Sequence, residues 1–140
     1  MTIATVTTDI NIGPFKIPSN GQNMIMNNYA ERNNLSVEIV IPEPMMSNAL
    51  ATVQWIHNER KLSKVILSSI HQLPKEQIRF NDLLRNMSEV EFHFAIEGIN
   101  GKGKNFLLST FKEAKMFMNA DAIDSTKTTW LDLHKITKDL

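Results

Sequence analysis

The stretches Lys64-Val65-Ile66-Leu67-Ser68-Ser69-Ile70-His71-Gln72-Leu73-Pro74 and Val90-Glu91-Phe92-His93-Phe94-Ala95-Ile96-Glu97-Gly98-Ile99 each read as a strand running into a polar turn. In the first, Val65-Ile66-Leu67 is a continuous apolar run, the pattern of a strand covered on both faces. In the second, Val90, Phe92, Phe94 and Ile96 alternate with Glu91, His93, Ala95 and Glu97. That alternation predicts one wetter face and a place at or near the sheet edge. Strands of this kind, separated by helix-length sequence, predict βα units, whose ligands gather at the carboxyl ends of the strands.

Working outward, Ile3 to Thr7 is a β-branched first strand ending in Thr7-Thr8-Asp9, and Gly13, Pro14 and Pro18 enforce a loop. From about Asn20 the pairs Ile25/Tyr29 and Met26/Ala30 predict a helix, stopped by Asn33-Asn34. Val37 to Ile41 predicts a second strand, ended by Pro42 and Pro44. Met46, Ala49, Leu50, Val53 and Ile56 form the stripe of a second helix that Ser47 or the preceding turn would cap. Pro74 suits the first turn of a third helix, with Phe80, Leu83, Leu84 and Met87 as its apolar face. After a Gly98–Gly103 loop, Leu107, Phe111, Ala114 and Met118 define a fourth helix, and Trp130, Leu133 and Ile136 a terminal one. The expectation is a single α/β domain over residues 1–118, a mostly parallel four-stranded sheet flanked by helices, with residues 119–140 as a helical extension packed on it. Pattern alone fits any small doubly wound fold, flavodoxin-like and receiver-like domains included.

Composition narrows the function. At 140 residues and 42% apolar content one core is expected, burying about two thirds of the unfolded surface. Fifteen basic and fifteen acidic residues cancel, so no global positive field supports nonspecific nucleic-acid or acidic-membrane binding, and no specific nucleic acid is expected as a partner. The start of the chain has no basic flank and no long apolar run, so neither a leader nor membrane insertion is expected, and the predicted location is cytoplasmic. With no cysteine, thiolate chemistry and cysteine-based metal sites are excluded, and His57, His71, His93 and His134 lack the i, i+4 spacing of a helical metal pair. Neither metal nor cofactor is expected.

Two stretches carry a resemblance. Ile17-Pro18-Ser19-Asn20-Gly21-Gln22-Asn23-Met24-Ile25, followed by Tyr29-Ala30-Glu31-Arg32-Asn33-Asn34-Leu35, resembles the loop and first helix of the catalytic domain of serine recombinases (resolvases and invertases). Phe94-Ala95-Ile96-Glu97-Gly98-Ile99 is similar to the strand and turn that precede the dimerising helix of that domain. Within this group the chain resembles the sporadic carbohydrate cluster proteins in Ile17-Pro18, Gln22-Asn23, Arg32-Asn33-Asn34-Leu35, Gln72-Leu73-Pro74 and Phe94-Ala95-Ile96-Glu97-Gly98. That resemblance implies a resolvase-like fold and a setting in bacterial surface carbohydrate (polysaccharide or O-antigen) biosynthesis, with no chemistry attached. The departures weigh as much. Where the recombinase pattern has a serine after the first strand, the chain reads Ala4-Thr5-Val6-Thr7-Thr8, and where it has arginines for the scissile phosphate, the chain reads Ser68-Ser69-Ile70-His71-Gln72. Without those guanidiniums little holds a phosphodiester transition state, so strand exchange is not expected.

With the recombinase strand order, Thr7, Thr8, Asp9, Ser68, Ser69, His71 and Glu97 converge on one crevice, and Gln22 and Gln72 join them as ligand-binding residues. Hydroxyls and amides of this kind suit a sugar, a sugar phosphate or a nucleotide-sugar intermediate. An enzyme reading instead gives His71, Asp9 and Glu97 acid-base work in an isomerase or hydrolase. A third reading makes the chain an interaction subunit for a carbohydrate enzyme, a homodimer through the Gly103–Met118 helix, or a recombination accessory. Each residue taken singly is also an ordinary turn-capping loop residue. Lys102 and Lys104, in Gly98-Ile99-Asn100-Gly101-Lys102-Gly103-Lys104, would meet a phosphate at a helix start, although the order is not that of a Walker loop, and they also read as a solvated charge pair. Glu91 and His93, at i, i+2, can touch and are expected as an exposed edge pair or a subunit contact.

Overall fold

The computed structural model describes residues 2–9, 12, 16–43 and 49–125, with helical side chains as far as Met116. Its parallel strands are β1 (Ile3–Thr8), β2 (Ile39–Glu43), β3 (Lys64–Leu67) and β4 (Glu91–Phe94), and a fifth, β5 (Ile99–Lys102), lies antiparallel to β4. The helices are α1 (Ser19–Arg32), α2 (Ala51–Glu59), α3 (Gln77–Met87) and α4 (Lys104–Ser125), with a 3₁₀ turn at Ile70–Gln72. Strand order is β2-β1-β3-β4-β5, so the chain reverses its direction of travel across the sheet between β1 and β3. That switch point opens the crevice where ligands of such sheets bind.

The alternation of side chains sorts two cores. Ala4, Val6, Val65, Leu67, Phe92 and Phe94 face α2, α3 and α4, where Phe80 and Phe111 stack with centroids 4.0 Å apart. Ile3 and Ile66 face α1 and pack with Met26, Tyr29 and Ala30. β3 is buried on both faces, as its continuous apolar run predicts. Helix α1 ends where Asn33-Asn34 predicts: Asn34 takes φ 55°, and the amides of Leu35 and Asn34 donate to Ala30 O (2.8 Å) and Glu31 O (3.3 Å), which closes the last turn.

The structure corrects several expectations. The Gly98–Gly103 stretch is largely strand β5, which makes the sheet five-stranded and places β4 one position in from the edge. Gly98 (φ 67°) and Gly103 (φ 97°) turn the chain at its two ends. At Gly101 a Cβ would stand 2.5 Å from the Phe106 ring, so only glycine lets that ring cover the strand. Helix α2 begins at Ala51, after Leu50 in the left-handed region (φ 52°), while the expected Met46 and Ser47 lie outside the described residues. Pro74 precedes α3 by more than a helical step. Helix α4 runs unbroken past residue 118, where the sequence suggested a boundary, and Trp130, Leu133 and Ile136 lie outside the described residues. Among the described residues no helix is long and apolar enough to cross a membrane.

Candidate functional site

Beyond their last shared rungs, β1 and β3 leave backbone groups without strand partners, and two glutamines take them up. Gln72 accepts from Ser68 N (2.5 Å) and donates to Val6 O (3.1 Å), bridging the strands across the switch point. Gln22, fully buried on α1, accepts from Thr8 N and donates to Thr8 O, both at 2.8 Å, and also donates to Ile17 O at 2.7 Å. It imitates a further strand rung beside Thr8. Both side chains expected to bind ligand are thus committed to the backbone.

Around these clamps stand the hydroxyls and carboxylates. Thr7 and Thr8 are buried at the end of β1, and Asp9 follows, exposed. Ser69 Oγ donates to Glu97 Oε2 (2.7 Å) while Ile70 N donates to Glu97 Oε1 (2.9 Å), so Glu97, from the turn after β4, holds the start of the 3₁₀ turn. Glu43, not singled out in the sequence, is buried at the end of β2. Its Oε1 accepts from Val53 N (2.8 Å), capping α2 from ten residues upstream. Its other oxygen, Oε2, has no partner among the described residues, and neither does Ser68 Oγ. Both atoms are buried, so acceptor capacity remains at this edge after its internal bonds are made.

His71, in the 3₁₀ turn, lines a narrow cleft on the α4 side with Leu73, Pro74, Lys75, Phe111 and Lys115, while Glu97 is engaged by Ser69 and Ile70. The expected placement of Lys102 and Lys104 does not hold. Lys102 pairs opposite Glu91 at the far edge of the sheet, because β5 runs antiparallel, and Lys104 follows it there, away from Thr7 and Ser68.

A second polar cluster lies at that amino edge, under α1. Glu91 and His93 do touch, at 2.8 Å, but His93 is buried, which overturns the exposed edge pair. A carboxylate only accepts, so His93 Nε2 carries the proton and Nδ1 accepts the Tyr29 hydroxyl at 2.7 Å. Lys64 Nζ completes the chain, 3.2 Å from Glu91 Oε2. The hydrogen bond from His93, ahead of the bond from Lys64, holds the Glu91 carboxyl below the usual carboxylate range, against a burial that pushes it up. Burial first, and the Glu91 charge second, push the Tyr29 phenol up. The sequence offers Tyr29 only as half of the i, i+4 pair Ile25/Tyr29 of α1; the signal for its polar role is that the polar side of β4 faces that helix. Among the described residues no group of His, Asp or Glu is arranged to hold a metal ion.

The fold is similar to that in the crystal structure of the N-terminal catalytic domain of TP901-1 integrase, with a TM-score of 0.57 and 12% identity over 89% of this chain and 97% of that one. At that identity the likeness shows the fold, a resolvase-like α/β domain. No protein-family model matches the chain, and no curated protein does.

Proposed function

We propose that this chain is a resolvase-fold binding protein without phosphodiester chemistry, which takes a neutral sugar at the carboxyl edge of its sheet and works in bacterial surface carbohydrate biosynthesis. One observation carries the reading. The turns ending β1, β2, β3 and β4 hold Asp9, Glu43 and Glu97 with Thr7, Thr8, Ser68 and Ser69, and no lysine or arginine occurs in residues 3–15, 39–58, 65–74 or 92–101. Buried acceptors at Glu43 Oε2 and Ser68 Oγ suit the hydroxyl donors of a sugar, whereas a phosphate would meet carboxylates with no cation between them. The carbohydrate setting rests on the resemblance in Gln22-Asn23, Arg32-Asn33-Asn34-Leu35 and Phe94-Ala95-Ile96-Glu97-Gly98.

Calorimetric titration with monosaccharides, sugar phosphates and nucleotide sugars tests it. Neutral sugars should bind at least as well as their phosphates, and Ser68→Ala should weaken binding about tenfold without loss of fold, since its hydroxyl makes no internal bond. Silence across the panel overturns the reading. Turnover abolished by His71→Ala in a folded protein would favour the acid-base enzyme instead. A homodimer through α4 is compatible with sugar binding, and sedimentation velocity decides it.

A further inference from the structure

Alongside the 3₁₀ turn, α4 presents Leu108, Phe111, Lys112, Lys115 and Met116, the i, i+3, i+4, i+7, i+8 positions of one stripe. With Gln77 of α3 they line an open groove of about 420 Å³, and its end continues past the 3₁₀ turn to Pro74 and Lys75. The floor is apolar. Met116, at one end of it, is 71% exposed. The rim is cationic: none of Lys75, Lys112 and Lys115 has an ion pair among the described residues, and Lys115 Nζ sits 5.2 Å from the Phe111 centroid with its stem along the apolar floor. No acidic side chain lines the groove among the described residues.

We infer that this groove docks an acidic amphipathic helix of a partner protein, with apolar side chains at i, i+3, i+4 and i+7 on Leu108, Phe111 and Met116 and flanking carboxylates on Lys75, Lys112 and Lys115. An open trough of this kind buries one face of a helix but does not enclose a small ligand. Charge decides among helical occupants. A second copy pairing through the same face brings Lys112 and Lys115 against their own images, which repel. The chain's own residues 126–140 carry Lys127, Lys135 and Lys138 against Asp132 and Asp139, a net basic segment that does not complement the rim.

The test uses the full chain and a fluorescein-labelled peptide of about four helical turns, with leucines on one stripe and glutamates elsewhere, followed by anisotropy. The intact peptide should bind, its scrambled and lysine-for-glutamate forms should not, and M116D and the K112E/K115E double variant should each weaken binding about tenfold or more. These positions are exposed, so circular dichroism should report an unchanged fold in both. Equal binding of the scrambled peptide, insensitivity to both variants, or no binding of the intact peptide overturns the proposal. So does selective binding to phosphatidylglycerol vesicles that the same variants abolish, which would assign the face to an anionic membrane. Sugar binding, measured beside it, should be unaffected by either variant, so failure here and failure at the sheet edge are distinguishable.

Discussion

The two edges of the sheet bury polar groups by opposite means. At the carboxyl edge the ends of β1 and β3 fall to uncharged amides, with Gln22 and Gln72 taking up Thr8, Val6 and Ser68 backbone groups with no proton to gain or lose, while the Glu43 and Glu97 carboxylates hold the starts of α2 and the 3₁₀ turn. At the amino edge titratable side chains satisfy one another in the sequence Tyr29, His93, Glu91, Lys64. The first arrangement leaves the buried Ser68 Oγ and Glu43 Oε2 without a partner among the described residues, and its amide clamps carry no titrating proton. The second is closed, each member's polar atoms being taken up by the next. Buried polar side chains in one small fold thus divide between holding a site open and locking a helix to a sheet.

The largest effect expected on stability is at the clamp across the switch point. Gln72→Ala leaves Val6 O and Ser68 N without their partner, both in fully buried residues. With about 1–3 kcal/mol per unsatisfied buried group, the loss should be about 3 kcal/mol by urea denaturation, and the same at pH 7 and pH 5. A loss that changed with pH between those values would break the contrast between the edges.

Next comes the amino-edge chain. His93→Phe removes the acceptor for Tyr29 and the donor to Glu91, with an expected cost of about 2 kcal/mol, and Tyr29→Phe about 1 kcal/mol. The two should couple in a double-mutant cycle, since they share one bond. Here pH enters with a definite sign. The Glu91 carboxyl is held below its ordinary value of 4.5, so its contribution is present above that value and lost as pH falls through the folded one. The raised Tyr29 phenol acts oppositely: its contribution is present below its ordinary 10.0 and lost as pH rises through the folded value. His93→Phe should shrink the acid limb, because the first cause of the Glu91 shift is gone.

These contrasts were partly legible in the residues. The continuous run of β3 and the Asn33-Asn34 stop of α1 are local consequences of burial and backbone conformation, and the structure has both; β4 has no wetter face at His93 and Ala95, both buried, and Ile96 lies beyond its end, exposed. Strand β5 was illegible because Gly98, Gly101 and Gly103 read as loop, when the glycine in its middle is what admits the Phe106 ring. His93 was read as solvent-facing because alternation reveals two faces without saying which neighbour covers the wetter one. The glutamine clamps and the Glu43 cap join positions 66, 14 and 10 residues apart, and sequence spacing does not show which backbone group ends a strand unpaired.

The smallest effect sharpens the comparison from a second amino-edge histidine. His57, in the last turn of α2, accepts Leu62 N at Nδ1 (3.0 Å) and is buried. An imidazolium has no acceptor, so protonation removes this bond and leaves the amide unsatisfied. Burial first, then the nearby Lys61 charge, lower the His57 pKa below its ordinary 6.5, although Glu89 opposes the shift. Its contribution is therefore present above 6.5, erodes as pH falls below that value and is lost once the folded value is passed. The expected loss on acidification is about 1 kcal/mol, the net worth of one hydrogen bond. His57→Gln keeps an acceptor for Leu62 N and removes the titration, so the decline between neutral pH and the onset of the Glu91 limb should flatten in that variant. An unchanged decline would move the pH sensitivity to the remaining titratable groups, including the carboxylates of the sugar edge, and the division of labour between the two edges would fall with it.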